Sequence, residues 1–324
     1  MDHPKFMIES SEAEKMVKNL GLQSVLHLLP IIAKSAQNLA RHPISGFPVA
    51  AVGLASDGRI FIGVNVEFPK LPLHHSIHAE QFLITNLSLH PQQTHLKYIV
   101  VSAYPCGHCR QFLQEVRGAP DIQIFVPKSD NLDDDDDDKV DCFKPLSYFL
   151  PNRFGPNDLL HKDVPLILET HDNHLVLEDS SVVGNNNVET GNLCNGFSQF
   201  EEREFVLAAF DAANKSHAPY SGCFSGVALI DNDGMIYKGS YMESAAYNPS
   251  MGPAQAAIIA YMAARAEVGG FVCDYERIVG AVLVEFEDAA VRQEETVRLF
   301  LQMVSPKCEF HVFHCKKSGF SVSD

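Results

Sequence analysis

Two short segments contain the residue types that bind a catalytic zinc ion. His78 and Glu80 stand two positions apart, and Cys106 and Cys109 follow 26 and 29 positions after Glu80. Two thiolates and one imidazole are three zinc ligands, and they leave the fourth tetrahedral position open for water, as catalytic zinc sites do. Glu80 can face such a site from the first turn of a helix without binding the metal, so we expect it to carry protons.

Helices are predicted to begin at both segments. Residues 80–87 and 110–116 have helical composition, and each run directly follows its ligands. The N-terminus of a helix presents free backbone N–H groups and the positive end of the dipole, which favours thiolate over thiol. We therefore expect two helix N-termini to meet at one metal ion.

Each segment taken alone permits a simpler interpretation. A single C-x-x-C is typical of half a structural zinc site or of a redox pair, and a single H-x-E carries little information. His108, between the two cysteines, is predicted to face outward, because a third ligand would have to share one helical turn with both sulfur atoms. The zinc prediction depends on the two segments occurring together.

Composition indicates a protein with two domains that acts on a small molecule. The chain has 324 residues, 46% of them hydrophobic, which is enough for substantial cores. Its formal net charge of −16 opposes binding to a phosphate backbone, which requires Lys and Arg. No apolar run is long enough to span a membrane and no targeting segment is recognised, so we expect a cytoplasmic protein that binds neither nucleic acid nor membranes. The cysteines outside the zinc motif are expected to be reduced: Cys142, Cys194, Cys223, Cys273, Cys308 and Cys315.

The order of predicted elements indicates an α/β fold. A helix should begin at Ser10 and end at Gly21, and a second should begin near Pro30 and end before Pro43. A hairpin of strands 49–54 and 59–66 follows, and further strands are predicted at 96–103 and 122–126. With the two ligand helices between them, the order is β-β-α-β-α-β, which implies a sheet with helices packed on its faces.

Polar residues and loops complete the first half. Asn65 and Glu67 lie at the end of a strand, where alternation directs both to one side, so they are candidates for binding a polyhydroxyl substrate. The run Asp133–Asp138 repels itself and is predicted to be a disordered surface loop. An aromatic, proline-bounded loop covers 149–156, and a linker rich in Asn, Gly and Ser covers 179–199.

The second half resembles a copy of the first. A shift of 176 residues gives seven identities in the 21 positions 43–63, most of them in turn-forming residues. We align His78-Ala79-Glu80 with Pro253-Ala254-Gln255, which would remove the metal ligands from the copy. Asp288 and Val291 would stand in place of Cys106 and Cys109. The cluster Cys308–Cys315 contains four possible ligands, but alternation divides them between two faces, so it is predicted to be a core strand.

Together these motifs resemble the two-domain, zinc-dependent cytidine deaminases of nucleoside salvage, in particular the plant forms and the two-domain bacterial enzyme. H-x-E followed by P-C-x-x-C is the signature of zinc deaminases that act on nucleobases. The resemblance extends from the second N-terminal helix to the C-terminal strand. The motifs that carry it are Asn65-Val66-Glu67-Phe68, His78-Ala79-Glu80-Gln81, Pro105-Cys106-Gly107-His108-Cys109-Arg110-Gln111-Phe112 and Phe154-Gly155-Pro156.

The resemblance assigns a role to each site residue. It implies that His78, Cys106 and Cys109 bind Zn²⁺ and that Glu80 is the proton shuttle. Asn65 and Glu67 would bind the ribose hydroxyl region, Phe47 would pack on the pyrimidine, and the backbone of Ala79 would read the pyrimidine edge. Phe154 would reach the active site of a partner subunit, which implies a homodimer. Arg41 would approach a zinc thiolate and offset its charge. Pro48 departs from the family pattern, in which Asn is usual. The resemblance therefore does not define the shape of the substrate pocket at this position.

The resemblance thus implies an α/β fold, an α/β/α three-layer sandwich of the cytidine deaminase type, duplicated, with a small N-terminal helical segment. The predicted divisions are residues 1–46 for that segment, 47–150 for the catalytic domain, 151–195 for the linker and 196–324 for the degenerate domain. The predicted reaction is hydrolytic deamination of cytidine and deoxycytidine to uridine and deoxyuridine in pyrimidine salvage. The alternatives are a deaminase of bases in polynucleotides and a non-catalytic, zinc-binding regulatory protein.

Overall fold

The chain forms two mixed β-sheets that share one topology. The computed structural model describes residues 5–90, 95–127, 142–177, 199–267 and 274–318, with no side-chain description at 199–202 and 267. The aspartate run and nearly all of the 179–199 linker lie outside these ranges. In the first half the strands are β1 Met7–Ile8, β2 Ala50–Ala55, β3 Ile60–Val64, β4 Leu96–Val101, β5 Gln123–Phe125 and β6 Lys144–Pro145.

The first sheet has the order β1-β3-β2-β4-β5-β6, and β4 and β5 are its parallel pair. The second sheet has the order β7-β11-β10-β8-β9, with β10 and β11 parallel. Its strands are β7 Leu175–Leu177, β8 Ser225–Asp231, β9 Ile236–Ser240, β10 Ile278–Phe286 and β11 Glu309–Lys317. The order β3-β2-β4-β5 is therefore repeated as β9-β8-β10-β11. The strand predicted at 308–315 is confirmed as β11, but its core position is not, because Cys315 is its one buried residue.

Helices cover both faces of the sheets. They are α1 Ser10–Asn19, α2 Val25–Ala36, α3 Ala79–Ser88, α4 Gly107–Phe112, α5 Leu146–Phe149, α6 Pro156–Leu159, α7 Gln199–Asn214, α8 Pro253–Glu267 and α9 Glu294–Val304. In the first half α2 and α3 pack on the sheet, and in the second half α7 and α8 do. Every residue of β3 and β8 is buried, which requires cover on both faces. The predicted duplicated α/β/α sandwich is confirmed.

The N-terminal segment differs from the prediction in two respects. It contributes β1, which pairs with β3 in the first sheet. Its second helix begins at Val25, five residues before Pro30, so the prediction of a helix start at Pro30 is wrong. The helix tolerates an interior proline because Leu28, Leu29 and Ile32 are fully buried, and this burial offsets the lost backbone hydrogen bond. The predicted domain boundaries at 46, 150 and 195 stay predictions.

A carboxylate clamp shows how closely the two halves correspond. Glu67 accepts hydrogen bonds from the backbone N–H groups of Ile44 (2.8 Å) and Ser45 (2.9 Å) and from the Ser45 hydroxyl. The same bonds recur 176 positions later, in the group Glu243, Tyr220 and Ser221. The offset of 176 positions found in the turn residues therefore also holds for Glu67 and Glu243, which follow β3 and β9.

The offset changes to 174 at the ligand helix, so the predicted alignment there is wrong by one residue. Val66 pairs with Ile77 in the first half, and Met242 pairs with Met251 in the second. The next residue is His78 in one case and Gly252 in the other, and α3 and α8 begin one position later. The connection between Glu243 and Met251 is two residues shorter than that between Glu67 and Ile77. Sequence comparison alone does not show where in such a short loop the two residues are missing.

Candidate active site

Three side chains meet with the spacing of zinc ligands. Nδ1 of His78 lies 3.5 Å from Sγ of Cys106, which lies 3.6 Å from Sγ of Cys109. All three donor atoms lie within 4.8 Å of one another. Tetrahedral Zn²⁺ with ordinary bond lengths would separate two sulfur atoms by about 3.8 Å and a sulfur from a nitrogen by about 3.6 Å. The donor set and its spacing therefore fit zinc.

Close packing of a strand against a helix places His78. Gly63 lies in β3 opposite the start of α3, and a Cβ atom at this position would stand 2.2 Å from the carbonyl oxygen of Ala79 and 2.3 Å from the backbone nitrogen of Leu83. Only glycine permits this approach. His78 has extended backbone at the N-terminal boundary of α3, and the side chain of Gln81 accepts a hydrogen bond from its backbone N–H at 3.2 Å.

The two cysteines belong to the first turn of α4. Cys106 has extended backbone at the N-terminal boundary of the helix and is exposed, whereas Cys109 lies within the helix and is fully buried. A hydrogen bond from the Cys109 thiol, assisted by His78, lowers the pKa of Cys106 to about 3. The same hydrogen bond and burial raise the pKa of Cys109 well above its usual value. The hydrogen bond to Cys106 raises the pKa of His78.

Glu80 lies behind the ligands and is almost completely buried. It is 3% exposed, and its carboxyl group hydrogen-bonds the Cys109 thiol. Burial raises its pKa above the usual value. A carboxyl group with a raised pKa holds a proton more readily than a solvent-exposed one, which suits a general acid and base.

Asn65 organises the backbone on one side of the site. Its Oδ1 accepts a hydrogen bond from the backbone N–H of Val49 at 2.8 Å, and its Nδ2 donates to the carbonyl oxygen of Phe47 at 3.0 Å. The Phe47 ring is 59% exposed. Glu67 binds the turn at residues 44 and 45, as described above. Asn65 and Glu67 therefore both have structural partners in addition to the substrate contacts predicted for them.

A loop containing Phe154 is bound to α4. Gln111 donates a hydrogen bond to the carbonyl oxygen of Phe154 at 2.5 Å, and Arg110 donates to that of Phe149 at 3.1 Å. The Phe154 ring is 46% exposed. The helix that carries the cysteines thus also carries the loop predicted to reach a partner subunit.

Arg41 lies beside the strand end that carries Asn65 and Glu67. Its backbone N–H donates to the carbonyl oxygen of Asn65 at 2.9 Å, and its carbonyl oxygen accepts from the N–H of Glu67 at 2.7 Å. The predicted contact between its guanidinium group and a zinc thiolate stays a prediction. Ala79 is the first residue of α3, and its predicted reading of the pyrimidine edge likewise stays a prediction.

His108 does not have the outward orientation predicted from the sequence. Its ring stacks on that of His78, with ring centroids 4.7 Å apart, and its Nε2 is buried without a hydrogen-bond partner among the described residues. The imidazole therefore packs against a ligand and supports its orientation. A motif gives the spacing of His108 but not its rotamer, so the sequence held no signal for this contact.

The second half has lost every metal ligand. Gly252 and Ala254 occupy the positions of His78 and Glu80 when the offset of 174 is used. Val101 and Leu283 pair with equivalent residues of β2 and β8, which gives an offset of 182 for the strand before the cysteines. This offset agrees with the alignment of Asp288 and Val291 with the two cysteines.

Three possible ligands in the second half have other partners. Glu285, Glu294 and His314 have donor atoms within 4.8 Å of one another. Arg292 lies 3.3 Å from Glu285, and Arg298 lies 2.6 Å from Glu294. Two guanidinium groups neutralise these carboxylates and oppose the binding of a cation.

A duplicated α/β fold with one intact Cys₂His site and a buried glutamate defines a zinc-dependent hydrolytic deaminase. Residues 26–125 and 146–298 each match a family model described as the cytidine and deoxycytidylate deaminase zinc-binding region. The chain belongs to the cytidine deaminase family, and Zn²⁺ is its cofactor.

Relatives match over nearly the whole chain. Cytidine deaminase 1 of Arabidopsis thaliana is 58% identical over 316 residues, 97% of this chain and 99% of the relative. Cytidine deaminase 6 of the same plant is 46% identical over 90% of this chain and 92% of its own. The crystal structure of cytidine deaminase from Mycobacterium tuberculosis is 28% identical over 40% of this chain and 95% of its own, with a TM-score of 0.33. Among the described residues, no helix is both long and apolar enough to cross a membrane.

Proposed function

We propose that this chain catalyses the hydrolytic deamination of cytidine and deoxycytidine to uridine and deoxyuridine. The observation that carries the proposal is the position of Glu80, a buried carboxyl group beside three donor atoms spaced for zinc. The similarity to relatives named cytidine deaminase supports the choice of nucleoside. The net charge of −16 favours a free nucleoside over a polynucleotide.

The chain's own residues then have distinct tasks. His78, Cys106 and Cys109 would hold Zn²⁺, which lowers the pKa of a coordinated water molecule and so supplies the nucleophile when bound. Glu80 accepts the proton lost from water as oxygen bonds to C4 of the pyrimidine, and it delivers this proton to N3. It then transfers the second water proton to the departing amine, so that the C4–N bond breaks and ammonia leaves.

Four residues would position the nucleoside. Asn65 and Glu67 would hydrogen-bond the ribose hydroxyl groups with the capacity that their structural bonds leave free. Phe47 would stack on the pyrimidine, which agrees with the exposure of its ring. The backbone of Ala79 would bind the edge of the base.

A second copy of the chain would complete the site. The exposed apolar side chains near the ligand segments and the Phe154 loop support a homodimer: Phe47, Leu73, Tyr104, Tyr148 and Phe154. Covering such side chains is favourable, and Phe154 would contact the active site of the other copy. Participation in pyrimidine salvage and a cytoplasmic location remain predictions.

The test follows ultraviolet absorbance when purified protein is added to cytidine and to deoxycytidine. We expect steady conversion to the uracil nucleosides, which removal of zinc by a chelator abolishes. Glu80→Gln should retain zinc and lose about three orders of magnitude or more in kcat, because it cannot transfer protons. Near-normal turnover by this variant would exclude the proposed shuttle, and zinc-loaded, folded wild-type protein without activity would refute the proposed reaction.

A further inference from the structure

One loop of the second half contacts both zinc-binding segments of the first. In the loop Ser244–Ser250, the carbonyl oxygen of Pro249 accepts a hydrogen bond from Nε2 of Gln81 at 2.9 Å. The backbone N–H of Ala245 donates to Oε1 of Glu115 at 2.7 Å. Gln81 is 2% exposed and Glu115 is fully buried. The half without ligands is thus bonded to α3 and to the segment that follows α4.

The loop Ser244–Ser250 is held by bonds of its own. The hydroxyl of Ser250 accepts a hydrogen bond from the Ser244 N–H at 3.0 Å and donates to the carbonyl oxygen of Tyr247 at 2.6 Å. Tyr247 has φ of 62°, a conformation that non-glycine residues adopt only where their surroundings impose it. A loop of this kind provides a fixed point of attachment.

Among the described residues, the partners of the Glu115 side chain all lie in the second half. Its Oε2 accepts a hydrogen bond from the Tyr220 hydroxyl at 2.7 Å and lies 3.5 Å from Nε2 of His217. A buried carboxyl group is strongly unfavourable unless hydrogen bonds compensate it. The Tyr220 hydroxyl and the Ala245 N–H, both from the second half, supply two such bonds.

His217 contacts a second imidazole on its other side. Nδ1 of His171 lies 2.8 Å from the carbonyl oxygen of Glu169, and Nε2 of His171 lies 3.1 Å from Nδ1 of His217. Burial and the neighbouring His217 lower the pKa of His171. The contacts of Glu115 thus extend through His217 to the segment at residues 169–171.

The sequence connects Glu115 directly to the cysteines. The 3₁₀ turn Leu113–Glu115 continues α4 without a break, and Glu115 stands six residues after Cys109. The carbonyl oxygen of Glu115 also accepts a hydrogen bond from the N–H of Ile167 at 3.0 Å. A shift of Glu115 would therefore be transmitted to the turn that carries both thiolates.

We propose that Glu115 is a positioning residue and that, with Gln81, it fixes both zinc-binding segments to the loop Ser244–Ser250. The second half then acts on the reaction without touching substrate, because it sets the distance between the imidazole and the two sulfur atoms. The proposal rests on zinc binding by the first half. Its tests measure zinc release and unfolding, so they remain decisive even if the nucleoside substrate proves to be different.

The main test compares two buried carboxylates. Asp231 is also fully buried and accepts hydrogen bonds from the Tyr237 hydroxyl at 2.7 Å and from two backbone N–H groups, but it lies within the second half. Both Glu115→Gln and Asp231→Asn should unfold at lower denaturant concentration. Transfer of zinc to a chromogenic chelator should become about tenfold faster in Glu115→Gln alone, as when residues that orient metal ligands are replaced. Equal zinc release from both variants would overturn the proposal.

Substitutions of the partners of Glu115 test the proposal if Glu115→Gln does not fold. Tyr220→Phe removes one donor to Glu115 and should accelerate zinc release by a smaller factor, with wild-type secondary structure. His217→Gln removes the imidazole that lies 3.5 Å from Glu115, so its loss of stability and that of Glu115→Gln should not add in the double variant. Zinc release from Tyr220→Phe at the wild-type rate, or additive losses in the double variant, would contradict the proposed arrangement.

Discussion

Gly63→Ala tests whether the contact between β3 and α3 positions the catalytic groups. The added Cβ would meet the carbonyl oxygen of Ala79 at 2.2 Å, whereas ordinary contacts begin at 3.4 Å. Relief of the clash requires the start of α3 to move by about 1 Å, because both obstructing groups are backbone. Such overpacking costs about 1–3 kcal/mol of folding free energy. A displacement of about 1 Å at a catalytic group costs about 100-fold in kcat/KM.

The duplication supplies a matched control for this experiment. A Cβ at Gly239 would meet the backbone nitrogen of Ala257 at 2.1 Å and the carbonyl oxygen of Pro253 at 2.5 Å, at the equivalent place in the second half. Gly239→Ala should therefore lose a similar amount of stability in urea unfolding but much less activity in the cytidine absorbance assay. If Gly63→Ala kept wild-type kcat/KM, or if both variants lost it equally, the reasoning from this contact would be refuted.

Three further predictions concern other parts of the site. Cys106→Ala should lose zinc during dialysis, and full metal occupancy by elemental analysis would contradict the ligand set. Burial tends to raise the pKa of Glu67, but hydrogen bonds from Ser45 and Ile44 outweigh it and lower the pKa below 4.5. The clamp therefore stabilises the fold above this pH and weakens as the pH falls through the folded-state pKa. The stability difference between wild type and Glu67→Gln, measured by urea unfolding, should thus shrink below about pH 4.5, and a difference independent of pH would count against it. Phe154→Ala should weaken self-association in sedimentation and lower kcat/KM, and wild-type values of both would exclude its role between subunits.

Much of the fold was predictable because the local sequence patterns favour the same helices and strands that the tertiary structure contains. The hairpin β2–β3, the ligand helices and the repeat all follow from periodicity and turn residues that tertiary contacts do not oppose. The start of α2 was not predictable in this way. Pro30 is a local signal for a helix start, and the burial of neighbouring leucines overrides it.

The candidate site was predictable only in its chemically distinctive residues. Cys106, Cys109 and His78 are recognisable because few other roles require these residue types at this spacing. Glu115 and Gln81 carry no such signal, since glutamate and glutamine are common in helices and the partners of these two residues lie more than 100 positions away along the chain. Contacts between halves depend on how the two units pack, and neither unit specifies this packing alone.

The two carboxylate clamps, formed by Glu67 and Glu243, distinguish a structural role of a residue from a catalytic one. Glu67 and Glu243 make the same bonds, yet Glu243 belongs to a half that has lost its metal ligands. Its presence there cannot depend on chemistry at that site, so the bonds of the turn are sufficient reason for a glutamate. The second half is therefore an internal control for the first. A residue that both halves share serves the fold, whereas a residue found in the first half alone, such as His78 or Glu80, indicates what the reaction requires.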